Sequence, residues 1–417
     1  MVVSTPIRIG EPVLRWSARA HSIDEIEREL SRIWAAQDLT TEVDGEPGRL
    51  VSARSSVMNL VVIARRPEMA EHCAATIQAL TARHPSRTMI LGSADPDGPS
   101  WLDARVEAHC ILPREGSAET CAEMIHVTAG GEAGRHVAAI VTPLLIHDLP
   151  VTIWWPDEPD LGLPATIEVL AAADRLVVDG STWAGDGLDR VRGLAGLVDA
   201  GRIAVSDFAL VRQSRWREAI ASIFDDPEFL PYLRSLRRIA VTYGTHDASG
   251  AVGFTNLVKP VYHVGWLASR LGVHVVRSLT PITGPARSGA GRAVRSTGAI
   301  QTAGRGLSAT LSDGRSEIAV VVRPVLSEMP QGTTLRVELL AERRGSELRA
   351  DVTAEAETVH VRVWQDGVEA LDRLFRAPRL TEVDLLAQAI EAGGRDTVSD
   401  GAIRSAAELA GPRGSRG

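Results

Sequence analysis

Cysteine is scarce in this chain. The three thiols, Cys73, Cys110 and Cys121, carry no CxxC spacing, which argues against a disulfide framework or a zinc site. So few thiols suit a reducing cytosol. Buried, inert cysteines are the plain reading, with a redox pair as the alternative. Lysine is scarce too: arginine far outnumbers it, as a GC-rich genome would explain. A basic field is missing. Formal net charge is -8 and the pI about 5.8, which leaves nothing to neutralise the phosphates of a nucleic acid. The opening MVVSTPIRIGEPVLRW lacks the basic start and apolar core of a secretory signal. The longest apolar region, Val137–Trp155, is interrupted by Pro143, His147, Asp148 and Pro150. A bilayer helix needs about 20 nearly unbroken apolar residues. No membrane segment is expected, and a cytoplasmic location follows.

Enzyme signatures are also sparse. There is no GxSxG, HExxH, Walker loop or GxGxxG. No His/Cys/Asp cluster has metal spacing. No catalytic residue, metal or cofactor is therefore assigned, although active sites assemble from distant residues and need no contiguous motif.

What is present reads as an α/β protein. At 417 residues the chain has room for two or three domains of about 150 each. The stretch from Glu123 to Asp157 organises it. Met124–Val127 is an apolar run that ends in Thr128, Ala129 and Gly130-Gly131. An apolar segment follows from Val137 to Ile146, His147-Asp148 breaks it, and Leu149–Trp155 is a short β-rich run closed by Pro156. Strand, Gly-rich turn, helix and strand make a βαβ unit and imply a parallel sheet. Such strands are buried on both faces and read as continuous apolar runs. A Gly-rich turn feeding a helix can bind an anion. Thr128, Gly130, Gly131 and Arg135 could hold a phosphate or a partner's carboxylate, or the glycines could simply let the chain turn.

Upstream, Ser22–Ala36 reads as an amphipathic helix, with Ser22 and Glu25 as a capping box and Ile26, Leu30, Ile33 and Trp34 as its stripe. Val57–Ala64, a helix from Pro67 to Arg83, and Thr88–Leu91 make a second βαβ unit. Arg105–Leu112 alternates like a further strand. Arg87, at the junction of the Pro67–Arg83 helix and the strand after it, could grip a carboxylate or phosphate in its bidentate fork, or tie down the C-terminus of that helix.

Downstream come a helix over Thr166–Ala173, a strand over Arg175–Val178, a polar turn over Asp179–Gly187 and a helix over Leu188–Ala200. The next stretch reads as helix, break at Asp225-Asp226-Pro227, helix and strand, with Asp226 as N-cap and Pro227 as first helical residue. Arg212, Arg215 and Arg217 with Trp216 form a basic-aromatic cluster. It is either a partner hot spot or a solvated face with one core tryptophan. Tyr262, Trp266 and Leu267 read as core, and His263 as a hydrogen-bonded core histidine. Past the Gly/Ser/Arg-rich Pro281–Gly298, alternating runs separated by turn signals predict antiparallel strands with one wet face. A last helix starts near Thr381, with Leu385, Leu386 and Ile390 as its stripe.

The series SSVMNLVVIA, HPSRTMIL, IHVTAGGEAGRHVAAIVTPLLIHDLPVTIWWPDEP, DRLVVDGSTW, RWREAIASIFDDPEFLPYLRSLRRIAVTYG and NLVKPVYHVGWLASRLG resembles the OpcA family. These are the glucose-6-phosphate dehydrogenase assembly proteins of cyanobacteria and actinobacteria. The likeness is strong over Arg54–Leu279 and one of pattern beyond. It implies a non-catalytic cytosolic protein that binds glucose-6-phosphate dehydrogenase, promotes its active oligomer and tunes its activity, and with it NADPH supply through the oxidative pentose phosphate pathway. A thioredoxin response goes with cyanobacterial members, and no cysteine here is placed on that pattern. Candidate partner contacts are Arg87, Trp154, Trp155, Arg215 and Trp216. Trp154 and Trp155 are adjacent on a strand and point to opposite faces, so at most one meets a partner. The other reading is an enzyme or sensor that takes a sugar phosphate at the 128–135 turn.

The expected architecture is thus a parallel or mixed sheet built from βαβ units, followed by a smaller C-terminal antiparallel β-rich (α+β) domain. The expected layout is an N-terminal segment over 1–50, an α/β core over 51–280 whose two subdomains could meet near 157–165, a β-rich domain over 299–400, and a flexible tail over 401–417.

Overall fold

The computed structural model describes residues 10–35, 53–54, 56–81, 83–95, 97–112, 114, 120–247, 254–282, 306–355 and 357–412. The loop expected over 41–48, most of the 281–298 boundary and the tail from 413 lie outside the described residues. The chain divides into two compact units. Unit 1 is Met1–Val178, Arg202–Val205 and Thr381–Gly393; unit 2 is Asp179–Gly201, Ser206–Leu380 and Gly394–Gly417.

Unit 1 opens with β1 (Val13–Ala20) and α1 (Ile23–Ala35). The cap is close to the one expected. Glu25 N donates to Ser22 Oγ, while the Glu25 carboxylate reaches back to His21 N instead of Ser22 N. Ile26, Leu30 and Ile33 form the buried stripe. Next come β2 (Ala53–Arg54), β3 (Met58–Ile63), α2 (Pro67–Leu80) and β4 (Ser86–Ala94). Pro67 starts α2, where its missing N–H costs nothing, and β3 pairs with β4 in parallel as the βαβ reading required. Then follow β5 (Trp101–Ile111), β6 (Thr120–Gly130), α3 (Gly131–Arg135), α4 (Val137–Leu144), β7 (Val151–Trp155), α5 (Pro164–Leu170) and β8 (Arg175–Val178); the next helix, α6 (Leu188–Ala200), belongs to unit 2, and β9 (Ala204–Asp207) begins in unit 1 and ends in unit 2.

The strand order is β1-β5-β6-β4-β3-β7-β8-β9, with β2 beside β6. The two strands of the central stretch, β6 and β7, are therefore not neighbours. β4 and β3 stand between them, because β3 pairs in parallel with both β4 and β7. β3 and β7 are buried along their whole length, as central parallel strands are. The break after α4 is held by buried Asn59 of β3. Its side chain accepts from Ile146 N at 2.8 Å and donates to Ile146 O at 3.0 Å and Leu149 O at 3.3 Å.

The cysteine expectation needs correcting. Cys110 and Cys121 form a disulfide, with 4.0 Å between their Cα atoms. They stand directly opposite each other in the antiparallel β5–β6 register. Sequence spacing gave no sign of this, because strand register and not a CxxC motif brings them together. The composition argument for a reducing compartment loses its basis here. Cys73 is free and buried, as expected. Burial, then the charges of Glu382 and Asp157, push its thiol well above the usual range.

Unit 2 holds α7 (Phe208–Val211), α8 (Ser214–Ile223), β10 (Leu236–Thr245), α9 (Val258–Leu271), β11 (His274–Pro281), β12 (Leu307–Ser312), β13 (Glu317–Leu326), β14 (Thr334–Arg343), β15 (Ser346–Glu355), β16 (Thr358–Gln365) and β17 (Val368–Arg376). The eight strands run β11-β12-β13-β10-β14-β15-β16-β17, antiparallel except for β10 beside β13. β10 thus sits inside the sheet expected to begin only after residue 299. The composition change near 281–298 marks no division of the fold. The helix expected after Pro227 is a turn followed by a 3-10 run, Leu230–Ser235. Asp226 does accept from Glu228 N at 2.9 Å, but Pro231 stops an α-helix from propagating.

The predicted alternation is present, but over β14–β16 the polar face is half-buried and not open to solvent. Val337, Leu339, Val352, Val361 and Val363 are buried. The alternate positions carry an ion lattice in which Arg336 forks onto Asp351 and also reaches Glu338 at 3.2 Å. Arg349 and Arg362 lie against the Trp364 ring at 5.4 and 5.5 Å. α10 (Glu382–Glu391) carries a full Thr381/Asp384 capping box and belongs to unit 1; Leu385 and Leu386 are buried there, as expected. α11 (Thr397–Ala410) occupies much of the stretch expected to be tail, with Ala402, Ile403, Ala406 and Leu409 buried. It crosses α9 at Gly265, where a Cβ would stand 2.5 Å from Ala402 O.

Candidate functional site

The Gly-rich turn is filled by its own chain. Gly131 has φ +57, and a Cβ there would lie 2.6 Å from Gly98 O. Gly131 N donates to Asp95 O at 3.0 Å, and Ala133 N to Ser100 Oγ at 3.2 Å. Gly130 is buried under Trp101. Arg135 is paired with Asp97 at 2.7 Å. Thr128 is exposed. Amides that would cradle an anion already have partners, and α3 is only one short turn. The glycines serve the turn itself.

Arg87 is 8% exposed. Its Nε donates to Glu123, and its NH1 donates to Leu144 O, the last carbonyl of α4, at 3.0 Å. Glu123 is fully buried and also accepts from Trp34 Nε1. Arg87 thus ties down a helix C-terminus, but that of α4 and not that of the preceding helix α2 as the sequence suggested, and as a buried residue it does not face a partner. Trp154 and Trp155 are both buried too, so neither is a contact. Both faces of β7 are covered, which leaves neither of two opposed side chains outside.

Arg215 is the exposed candidate. Its side chain is 58% accessible and pairs with Glu218 at 2.6 Å. The two residues line an open depression of about 430 Å³ with Phe375, Arg376 and Pro378. Trp216 is half-buried and packs its ring on His263, with 5.3 Å between centroids. His263 departs from its reading as a hydrogen-bonded core histidine. It is fully buried, and among the described residues neither ring nitrogen has a hydrogen-bond partner. Burial, then Arg217 and Lys259, lower its pKa to about 3, so the ring stays neutral.

Sequence reading missed a polar cluster within unit 2. Asp207 ends β9 and is 1% exposed. Its carboxylate accepts from Gly180 N at 2.9 Å, Ala209 N at 2.8 Å and Tyr262 OH at 2.8 Å. Burial, then the Asp179 charge, raise its pKa to about 6 against those donors. Asp179 accepts from Ser181 Oγ at 2.6 Å and from Arg212 NH1 at 2.8 Å. Asn256 donates to Gly180 O and Trp183 O and accepts from Val258 N, which holds the Gly180–Thr182 turn against the start of α9. Gln213 donates to Lys259 O at 2.7 Å. These residues come from VDGSTW, SDFALVRQ and NLVKPVY. The one sequence signal was a density of short polar residues in otherwise apolar blocks.

Two family models match the chain in order. Residues 54–193 match the glucose-6-phosphate dehydrogenase subunit N-terminal domain, and residues 203–402 the C-terminal domain. The chain belongs to the OpcA family. Similar curated proteins include "Putative OxPP cycle protein OpcA" of Nostoc punctiforme, 27% identical over 195 residues, or 46% of this chain and 39% of that one. A protein of the same name from Synechocystis sp. is 26% identical over 195 residues, 46% of this chain and 38% of that one. The chain thus spans well under half the length of these OpcA relatives. Among solved structures, the transcriptional regulator Gal80p of a Kluyveromyces yeast aligns at 11% identity over 86% of this chain and 91% of that one, with a TM-score of 0.39. The WlbA dehydrogenase from Thermus thermophilus aligns at 11% over 86% and 97%, with a TM-score of 0.38. Likenesses that distant carry no functional argument. Among the described residues no helix is long and apolar enough to cross a membrane.

Proposed function

We propose that this OpcA-family chain is a non-catalytic cytoplasmic factor that binds glucose-6-phosphate dehydrogenase, promotes its active oligomer and tunes its activity. The observation that carries the reading is the ordered match to both halves of the family, spanning residues from both compact units. The mechanism is linkage. A protein that binds one state of an enzyme better shifts the population by its differential affinity. A tenfold shift needs about 1.4 kcal/mol, which one well-placed hot spot supplies. The Arg215 depression is the proposed contact, since Arg215 is the one exposed arginine or tryptophan left among the five partner candidates.

The test mixes the purified chain with glucose-6-phosphate dehydrogenase of the same organism. Light scattering after size exclusion is read beside steady-state NADP reduction. A stable complex with altered kcat, KM or oligomer size is expected, weakened by Arg215→Glu. No complex at micromolar concentration, in reducing or oxidising buffer, would sink the reading.

A further inference from the structure

Lys259 is the sole lysine in the 417 residues; all other Lys/Arg positions are arginine. A composition that favours arginine replaces lysine wherever either cation serves. A position that keeps the amine needs something a guanidinium lacks: a compact point charge that can release its proton.

The surroundings indicate what that is. Lys259 is the second residue of α9, and its Nζ donates to Thr333 Oγ1 at 3.4 Å. Among the described residues no carboxylate is within salt-bridge range of Nζ. Arg212 bears on it as a like charge. Burial first, then Arg212, bring the ammonium down to about 8, and Asp179 pulls the other way. Asp179 is already committed to Ser181 and Arg212. Arg212 spends only NH1, on Asp179 and on Ser181 Oγ at 3.1 Å. Among the described residues its Nε and NH2 have no hydrogen-bond partner, and its side chain is 33% exposed. The Gly180–Thr182 turn, the end of α7 and the start of α9 are tied together through Asn256 and Gln213, so the two cations share one corner, each against a hydroxyl, and bear on each other as like charges.

We propose that Lys259, Arg212, Ser181 and Thr333 form a binding site for the phosphate group of a small phosphorylated anion. Lysine suits a phosphate as a point charge and arginine as a fork; the Thr333 hydroxyl, which accepts from Lys259, donates to a remaining oxygen, while Ser181, whose one O–H goes to Asp179, holds Arg212 NH1 in place. The anion removes the repulsion between the cations. An arginine at 259 would set a second fixed fork against Arg212 and could not shed its charge while the site is empty. The residues come from the Gly180–Thr182 turn, the end of α7, the start of α9 and the head of β14, all in unit 2. The site does not depend on the glucose-6-phosphate dehydrogenase reading.

A single lysine makes the test direct. Full-length protein grown on isotope-labelled lysine gives one side-chain signal. Its pH titration is followed in inorganic phosphate, glycerol phosphate, acetate and chloride at equal ionic strength. Phosphate is expected to shift the signal saturably and raise its midpoint by about one unit, meaning about tenfold tighter binding to the charged amine. A stronger response to glycerol phosphate would name a monoester as the ligand, and a stronger response to inorganic phosphate the free ion. Arg212→Gln should weaken phosphate about tenfold or more, in line with loss of a charge-assisted bond. Identical titrations in all four anions would overturn the site and leave Lys259 structural. An equal response to acetate would overturn the phosphate assignment. The decisive arm uses wild-type protein, so a variant that fails to fold does not shield the proposal.

Discussion

Replacing Glu123 by glutamine leaves Arg87 as an uncompensated cation inside unit 1. Glu123 has no exposed surface and Arg87 only 8%, so water cannot restore what the carboxylate supplied. Breaking a buried pair by removing one partner costs about 3–5 kcal/mol. In a unit of this size each kcal/mol moves the melting point by about 2–4 °C, so the unit 1 transition should fall by about 6–20 °C. The loss has a structural address, because Arg87 NH1 also holds Leu144 O at the end of α4. The double change Arg87→Met with Glu123→Leu removes both charges. Well-packed apolar replacement of a buried pair is often neutral or better, so the double variant should recover most of the loss. Calorimetry of the wild type, Arg87→Met, Glu123→Leu and the double variant closes the cycle. Additive losses, or a single-variant drop under about 2 °C, would show that the pair is not a coupled buried one.

Three more outcomes follow from unit 1. Gly131→Val should damage folding, since it adds a β-branched side chain at φ +57 with Gly98 O 2.6 Å from its Cβ; far-UV circular dichroism and expression yield read this. Arg135→Ala, at an exposed pair with Asp97, should change stability by no more than about 1 kcal/mol and leave enzyme association intact. A loss of association there would return the turn to the list of contacts. Glu107 is held down at about 2: burial works to raise it, but the hydrogen bond from His109 at 2.9 Å, the His126 ring 3.6 Å away and the charges of His109 and Arg105 outweigh that. Its folded pKa is depressed, so its contribution is complete above the ordinary 4.5 and lost as pH falls toward 2. That is about 3 kcal/mol of acid sensitivity, which Glu107→Gln should flatten in urea midpoints taken across the window; an unchanged acid limb would refute the assignment.

The sequence revealed elements better than it revealed their neighbours. Arg175–Val178 and Leu188–Ala200 fold over the ranges read from pattern, because apolar periodicity is a local property. Register and strand order are not local. Nothing in the run from β6 to β7 says that β4 and β3 will stand between them. Nothing in the spacing of Cys110 and Cys121 says that the β5–β6 register will set them face to face. The composition break near 281–298 looked like a domain boundary, yet β10 lies at the heart of the later sheet. Composition can turn rich in Gly, Ser and Arg inside a unit as readily as at its end.

Site residues failed by the same logic in reverse. Tryptophan and arginine are enriched at interfaces, so Trp154, Trp155 and Arg87 drew attention by type. Type does not report burial, and all three proved to be inside. The polar cluster of unit 2 went unseen because its members come from three separate stretches, each with a sound local role. Asp207 caps α7, Asn256 accepts from Val258 N at the start of α9, and Asp179 closes a turn. Local roles of this kind account for every member except Lys259. Its amine has a single long hydrogen bond, at 3.4 Å, and a like charge for a neighbour. A folded chain satisfies buried charge wherever it can. The residue whose contacts explain it least is therefore the one at which a ligand explains most.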